Sequence, residues 1–173
     1  MSFYKFPLFT PYINNEEKKL VAECMDTNWI SSKGKYIDKF EKKFSEFVNS
    51  KYSISVNNGT AALHLALLAL DIKKGDEVLV PSFTYIAPVN AIKYVGASVK
   101  FIDSNLLTGQ INEEAIVKNI SKKTKAIILV HLYGYMCDIN KIKNIFKKFN
   151  LFLVEDCAES FGSYYKNKHS GTF

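Results

Sequence analysis

Cysteine is scarce in this chain of 173 residues. The three cysteines, Cys24, Cys137 and Cys157, are an odd number, and none of them stands in CxxC spacing. A disulfide framework uses cysteines in pairs, and a structural zinc site is usually marked by CxxC motifs. The sequence therefore supports neither, and we expect three reduced thiols without a special role.

Long hydrophobic runs and targeting signals are also missing. No apolar stretch approaches the roughly 20 residues that a membrane-spanning helix needs. The start, Met1-Ser2-Phe3, has no basic segment followed by an apolar one, as a secretory signal would have. We expect a cytoplasmic protein that does not associate with membranes.

Acidic residues are outnumbered, with 17 Asp and Glu against 23 Lys and Arg and a formal net charge of +6. The lysines are spread along amphipathic segments, and there is no arginine cluster or long basic run. This distribution does not indicate nucleic-acid binding. A mild positive field suits anionic small molecules such as phosphates, although solvated helix faces explain it equally well.

Several motifs that mark enzyme classes are absent. The dinucleotide fingerprint GxGxxG, the nucleotide loop GxxxxGK[ST] and the hydrolase elbow GxSxG do not occur. No pair of carboxylates has the pattern of a glycosidase. His64, His131 and His169 are widely separated without metal-ligand spacing, so we expect structural histidines and no metal site.

A regular alternation of apolar runs and helical segments is what the sequence does contain. The predicted strands are 53–56, 77–80, 98–102, 126–130 and 151–154. The predicted helices between them are 60–70, 85–95, 112–120 and 139–149. We expect two further helices before them, the first capped by Asn14, and an edge strand at 161–165 that turns at Lys166-Asn167. Strict alternation predicts βαβ crossovers and a largely parallel sheet between helix layers, without a domain boundary inside 1–173.

Two predicted strand ends carry groups that could bind a ligand. After 53–56, Gly59-Thr60 opens a helix, and free amides at a helix start together with the Thr60 hydroxyl could hold one phosphate. The alternative is a structural glycine turn. The run 151–154 ends on Glu155-Asp156, where Asp156 would point into the crevice in which open α/β sheets bind ligands.

A carboxylate at this place could keep a pyridine nitrogen protonated. A site for pyridoxal phosphate requires such a carboxylate together with a phosphate-binding site, here called the phosphate seat, at Gly59-Thr60. The alternative for Asp156 is a helix cap or a solvated loop acid. Glu155 lies on the opposite strand face by alternation and is expected to be structural. Tyr85, after the run 77–80, could stack on a flat ring, although aromatic residues more often belong to a core.

Taken together, several segments closely resemble the DegT/StrS-type nucleotide-sugar aminotransferases. They are 57–67 (NNGTAALHLAL), 75–78 (GDEV), 81–85 (PSFTY), 130–134 (VHLYG) and 154–160 (VEDCAES), with Trp29-Ile30-Ser31 and Gly34 ahead of them. Their order and spacing match over nearly the whole chain. The resemblance implies the fold type I architecture of pyridoxal-phosphate aminotransferases, a three-layer α/β fold with a mostly parallel sheet, and a homodimer.

The resemblance also implies roles for individual positions. The cofactor-binding residues would be Gly59, Thr60 and Ala61 for the phosphate, Tyr85 for the ring face, Asp156 for the ring nitrogen and Glu159 near the ring substituents. The residues that help to bind the sugar nucleotide would be Trp29, Ile30 and Ser31. Glutamate would supply an amino group through pyridoxal 5′-phosphate to a keto-sugar linked to a nucleoside diphosphate, with amination of the perosamine type favoured by overall similarity.

One element of the family pattern is not found in this sequence. The Schiff-base lysine of the family is expected beyond Phe173, so no catalytic residue is assigned, and Lys166 and Lys168 lie in a predicted surface turn. We expect 1–173 to be the N-terminal portion of the cofactor-binding large domain, with the small C-terminal domain absent. The alternatives are a truncated non-catalytic homologue or subunit fragment and, with less support, a pyridoxal-phosphate-dependent sugar dehydratase.

Overall fold

The computed structural model describes residues 10–173, so the expectation drawn from Met1-Ser2-Phe3 lies outside it. The helices are α1 (Asn15–Asp26), α2 (Lys35–Val48), α3 (Gly59–Ala69), α4 (Ala87–Tyr94), α5 (Glu113–Asn119) and α6 (Ile139–Phe149). The strands are β1 (Glu77–Pro81), β2 (Ser98–Ile102), β3 (Thr124–Val130), β4 (Phe152–Asp156), β5 (Tyr164–Tyr165) and β6 (Lys168–His169). Among residues 10–173, every helix is too short or too polar to span a lipid bilayer.

The main sheet has four parallel strands in the order β2-β1-β3-β4. The chain places β2 on one side of β1 and then β3 on the other, which makes the boundary between β1 and β3 a topological switch point. There the pairing of β1 with β3 extends only to Leu79, whereas β3 pairs with β4 as far as Asp156. The predicted parallel sheet is confirmed, and the ladder between β1 and β3 stops short of the carboxyl edge.

Helices cover both faces of this sheet. Because strand side chains alternate, Val78 packs with Leu67 of α3 and Ile92 of α4, whereas Leu79 packs on the other face with Ile116 of α5 and Ile142 of α6. Both layers of contact are almost completely buried. The predicted three-layer α/β architecture is therefore confirmed.

The predicted strand at 53–56 does not form within the described residues. Its polar groups bond to α2 instead: the Ser55 amide and hydroxyl donate to the Glu41 carboxylate at 2.7 and 2.8 Å. Ile54 and Val56 remain 72% and 40% exposed. A strand requires a neighbour, and no described strand lies beside this segment.

The predicted edge strand at 161–165 is also wrong in part. Only Tyr164 and Tyr165 are extended, and they pair with Lys168 and His169 in a separate antiparallel hairpin. The two turn residues, Lys166 and Asn167, have φ values of 47° and 65°. Two successive left-handed residues are typical of a type I′ hairpin turn, which confirms the predicted turn but not its place in the main sheet.

Candidate functional site

The first turn of α3 leaves backbone amides free. Asn58 caps the helix, its side-chain oxygen accepting from the Ala61 amide at 2.9 Å. Among the described residues, no acceptor forms a hydrogen bond with the amides of Gly59 and Thr60, as expected for the first positions of a helix. A Cβ atom on Gly59 would meet nothing within 4 Å. The helix start is therefore open to an anion, which its dipole and amides favour.

This helix start lies at the carboxyl edge of the main sheet. The residues after the other end of α3, Asp71 and Ile72, line one cavity with Lys125 and Phe152, which stand near the amino ends of β3 and β4. A helix of 11 residues is about 16 Å long, nearly the length of a strand of five residues. Since α3 crosses the sheet from the amino edge, its first turn is at the opposite edge, where the strands end.

Asp156 lies on the same face of the sheet as α3. It is the last residue of β4, and Val154, two positions earlier, packs with Leu63 and Leu67 of α3. Side chains two positions apart on a strand point to the same face. The structure thus brings Asp156 and the start of α3 to one face and one edge of the sheet.

The carboxyl group of Asp156 is half-buried. Burial is the main cause that raises its pKa above the ordinary value, and the charge of Glu159 adds to this. A hydrogen bond from the Ala158 amide, 3.1 Å from Oδ1, works in the opposite direction. A carboxylate that is costly to ionise gains from a cationic partner, such as a protonated ring nitrogen.

A cavity of about 570 Å³ adjoins the start of α3. Gly59 and Gly171 both line it, together with apolar side chains of α2 and of the segment after it, Phe40, Phe44, Val48, Tyr52, Ile54 and Val56. Gly171 is tied to β4, because its amide donates to the Glu155 carboxylate at 3.1 Å. The helix start and the segment that Glu155 of β4 holds therefore border one space.

Tyr85 lies in the loop between β1 and α4 and not inside the helix predicted at 85–95, because α4 begins only at Ala87. Its side chain is 75% exposed. The neighbouring Thr84 has a buried Oγ1 atom without a hydrogen bond partner in the described part of the chain. The loop after β1 thus offers an accessible ring and an unsatisfied hydroxyl group at the carboxyl edge.

Glu159 follows β4 and bonds to the turn after β3. Its Oε2 atom accepts from the Tyr133 amide at 2.7 Å. Tyr133 has the left-handed angles φ 55° and ψ 30°, which are unusual for a residue with a side chain. Glu159 therefore holds a strained turn at this edge, a contact that no sequence signal indicated.

Trp29, Ile30 and Ser31 form the exposed loop between α1 and α2. The Trp29 side chain packs against Gly34, where an added Cβ atom would lie 3.4 Å from the Trp29 Cβ. No hydrogen bond in the described part of the chain joins these three residues to Gly59, Thr60 or Asp156. Their predicted role in binding the sugar nucleotide therefore stays a prediction.

His131, Glu155 and Cys157 place potential metal-ligand atoms within 4.8 Å of one another. The Cys137 amide donates to His131 Nδ1 at 3.2 Å, so the ring proton is on Nε2 and points to Glu155, 3.0 Å away. Burial raises the pKa of Cys157 to about 11, so the thiol keeps its proton. Hydrogen bonds thus occupy both ring nitrogens of His131, and Cys157 is a neutral thiol instead of the thiolate that binds metal ions.

The sequence matches the DegT/DnrJ/EryC1/StrS aminotransferase family over residues 11–173. The chain belongs to this family. The predicted family and fold class are thus confirmed, and the aminotransferase family match covers α1 to β6 without a break.

Several proteins with curated names or solved structures are similar to this chain. The GDP-perosamine synthase of Escherichia coli O157:H7 is 56% identical over 167 residues, which are 96% of this chain and 46% of that enzyme. An aminotransferase structure from Psychrobacter cryohalolentis has a TM-score of 0.88 at 39% identity, over 92% of this chain and 40% of that one. A GDP-4-keto-6-deoxymannose-3-dehydratase with a trapped PLP-glutamate geminal diamine has a TM-score of 0.90 at 30% identity, over 98% of this chain and 45% of that one.

The chain spans a little under half the length of the relatives that it matches. The aligned part contains the start of α3, the ends of the parallel strands and Asp156. Sequence and fold similarity thus extend over every residue predicted to bind cofactor or substrate.

Proposed function

We propose that this chain binds pyridoxal 5′-phosphate at the carboxyl edge of its sheet, as the N-terminal portion of the large domain of an aminotransferase. The observation that carries the proposal is the common face and edge shared by the open start of α3 and Asp156. The amides of Gly59 and Thr60 and the Thr60 hydroxyl bind the phosphate, in the turn that Ala61 completes. Asp156 pairs with the pyridine nitrogen, and Tyr85 covers a face of the ring.

The residues present fit this cofactor. The dianionic phosphate complements the free amides of a helix start, and the cationic nitrogen complements a carboxyl group that is costly to ionise alone. The unsatisfied Thr84 hydroxyl supplies a further hydrogen-bonding group in the loop of Tyr85. When bound, the cofactor supplies an electron sink for amino-group transfer, and Asp156 sustains it by keeping the ring nitrogen protonated.

For the whole protein, we propose transfer of an amino group from glutamate to a nucleotide-linked keto-sugar, as in the synthesis of perosamine. The 56% identity to a GDP-perosamine synthase supports this substrate class. Trp29, Ile30 and Ser31 bind the sugar nucleotide, Glu159 acts near the ring substituents, and the Schiff-base lysine follows Phe173. The protein works as a cytoplasmic homodimer in amino-sugar or surface polysaccharide synthesis.

A second candidate is a sugar dehydratase that uses the same cofactor. It is supported by the TM-score of 0.90 to a GDP-4-keto-6-deoxymannose-3-dehydratase over 98% of the chain. Product analysis with the full-length protein separates the two: an aminotransferase forms an amino sugar and 2-oxoglutarate in equal amounts, whereas a dehydratase forms a deoxygenated keto-sugar without nitrogen and releases the amino group as ammonia. A protein that binds the cofactor and forms neither product is the non-catalytic homologue.

Binding of pyridoxal 5′-phosphate tests the proposed site directly. We expect saturable binding in a fluorescence or absorbance titration, with pyridoxal, which lacks the phosphate, bound at least about tenfold more weakly. Thr60→Val should lower the affinity for the phosphorylated form and leave that for pyridoxal nearly unchanged. Equal affinity for both compounds would exclude the phosphate seat.

A matched control is available at the other edge of the sheet. Thr124→Val removes a hydroxyl that donates to Glu77 at 2.6 Å, so it also costs stability. We expect it to leave cofactor affinity unchanged. If both threonine variants weaken binding equally, the effect of Thr60 is due to lost stability and the proposal fails.

A further inference from the structure

Glu155 is the centre of a buried hydrogen-bond cluster on the face of β4 opposite to Asp156. Its Oε2 atom accepts from His131 Nε2 at 3.0 Å and from the Gly171 amide at 3.1 Å, and its Oε1 atom accepts from the Phe173 amide at 3.0 Å. Only 6% of the side chain is exposed. The function proposed above makes no use of this carboxylate.

The direction of every bond in the cluster is determined. The Cys137 amide donates to His131 Nδ1 at 3.2 Å, so Nε2 carries the ring proton and donates to Glu155. Both oxygens of Glu155 therefore act only as acceptors. A side chain that offers one acceptor and one donor cannot satisfy the same three partners.

The segment held by Glu155 approaches β4 closely. Gly171 has a φ of +83°, and a Cβ atom there would lie 3.1 Å from the Cys157 sulfur. The hydrogen bonds of Glu155 and the absence of a side chain at Gly171 thus both allow the backbone of residues 171–173 to lie against the end of β4. Gly171 in turn lines the cavity of about 570 Å³ that Gly59 borders at the start of α3.

We infer that Glu155 is a positioning residue, which acts through Gly171 to hold one wall of the cavity beside the phosphate seat. The inference rests on the proposed function for the identity of the ligand. Asp156 would touch the cofactor from one face of β4, while Glu155, the preceding residue, holds the backbone that closes the cavity from the other side. Two adjacent acidic residues at one strand end would thereby have different tasks.

The test is Glu155→Gln in the full-length protein. The amide group must place its NH₂ against at least one of the three donors, and His131 cannot adapt because Cys137 fixes its tautomer. We expect hydrogen exchange at Gly171 or Phe173 to accelerate at least about tenfold without cofactor. Affinity for pyridoxal 5′-phosphate should fall at least about fivefold, since one cavity wall is no longer held.

Glu77→Gln is the matched control. Glu77 Oε1 accepts from Ser121 Oγ at 2.9 Å and from Thr124 Oγ1 at 2.6 Å, at the amino edge of the sheet. We expect it to lower thermal stability without changing cofactor affinity or exchange at Gly171 and Phe173. Equal affinity and exchange in Glu155→Gln and the wild type would overturn the inference, as would equal losses in both variants.

A second variant keeps the inference falsifiable if Glu155→Gln does not fold. Gly171→Ala displaces the same segment from Cys157 and leaves Glu155 in place, so it should weaken cofactor binding and accelerate exchange at Phe173. Unchanged binding and exchange in this variant would overturn the inference. A wild-type protein that does not bind the cofactor contradicts the proposed function instead, and the exchange measurement still decides whether Glu155 holds the segment.

Discussion

At the scale of single residues, the ionised carboxylate of Asp156 lowers the free energy of unfolding of the chain. Its pKa is raised mainly by burial, so the folded state binds a proton more tightly than the unfolded state. Stability then declines as the pH rises from the ordinary range of an aspartate through the raised pKa, and stays lower above it. At neutral pH and without a ligand, the ionised carboxylate opposes folding.

Asp156→Asn should therefore stabilise the chain and impair binding. The amide oxygen can still accept from the Ala158 amide, and the buried charge is removed. We expect the melting temperature at neutral pH to rise by about 1–3 °C, a gain that shrinks toward about pH 4, where aspartate is protonated. Calorimetry over this pH range, with a cofactor titration, is the measurement, and a wild type more stable than the variant at neutral pH would contradict the prediction.

The positions of Asp156 and Gly59 could be predicted from sequence because each leaves a local signal. A polar break after an apolar run marks Asp156, and a glycine before a helical pattern marks Gly59. The bond from Tyr133 to Glu159 joins residues 26 positions apart and depends on a left-handed tyrosine. Nothing in the order of the residues indicates such a contact, and the same is true of the bond between His131 and Glu155.

At the scale of elements, substitutions of Asn58 can distinguish the capping of α3 from the binding of an anion at the start of that helix. Asn58→Ala removes the acceptor of the Ala61 amide and should cost about 1 kcal/mol of stability. Asn58→Asp keeps a good cap, so stability should be retained, but its negative charge lies beside the proposed phosphate seat.

We expect Asn58→Asp to bind pyridoxal 5′-phosphate at least about tenfold more weakly than the wild type. Binding of pyridoxal should change little, because that compound carries no phosphate. Denaturation curves and paired titrations measure both properties. Wild-type affinity for the phosphorylated compound in this variant would place the phosphate elsewhere.

The segment after α2 depends on one side chain of that helix. Glu41 accepts from the Ser55 amide and hydroxyl, and the amide bond is the main cause that lowers its pKa. Glu41→Ala should release the segment and speed tryptic cleavage after Lys51, measured by limited proteolysis. Glu46→Ala, on the same helix but without a side-chain bond to the segment, is the control.

The pH dependence of this contact follows from the direction of the shift. Because the pKa of Glu41 is lowered in the folded state, its contribution is present above the ordinary range of a glutamate and is lost as the pH falls through the lowered pKa. Protection of the Ser55 amide from exchange, relative to an unfolded peptide at the same pH, should fall over that interval. Exchange that is equally protected at all acidic pH values would show that another contact holds the segment.

The wrong strand prediction at 53–56 has a physical cause at this scale. An apolar run favours a strand only if a neighbouring strand can receive its backbone hydrogen bonds, and such a neighbour is not encoded in the run itself. The helices were predicted more completely than the strands, since a cap such as Asn14 acts on a residue only two positions away. Local signals thus located helices, while strand pairing needed the fold.

At the scale of the whole molecule, much apolar surface is exposed. The segment 52–56 and α2 contribute a continuous part of it, in which Phe40, Tyr52, Ile54 and Val56 line one cavity. Patches of this kind rarely remain in contact with water. The three-layer order could be predicted from the alternation of elements, but this uncovered face could not, because exposure depends on what the remaining elements leave free.

The isolated chain of 173 residues should therefore self-associate at micromolar concentration, as measured by sedimentation velocity. Ile54→Lys should reduce association by placing a charge inside the patch. Leu106→Lys is the control, since Leu106 is fully exposed in the loop after β2 and does not line the cavity beside the segment 52–56. A wild-type chain that sediments as a single monomer would contradict the prediction.

The early end of pairing between β1 and β3 has a consequence for ligand entry. Beyond Leu79 these two strands share no ladder, and β1 finishes on Pro81, which has no amide hydrogen to leave unsatisfied. A ligand that binds at this rim, beside Val80 and Pro81, therefore displaces no ladder hydrogen bond between β1 and β3. Its arrival and departure leave the paired part of these two strands unchanged.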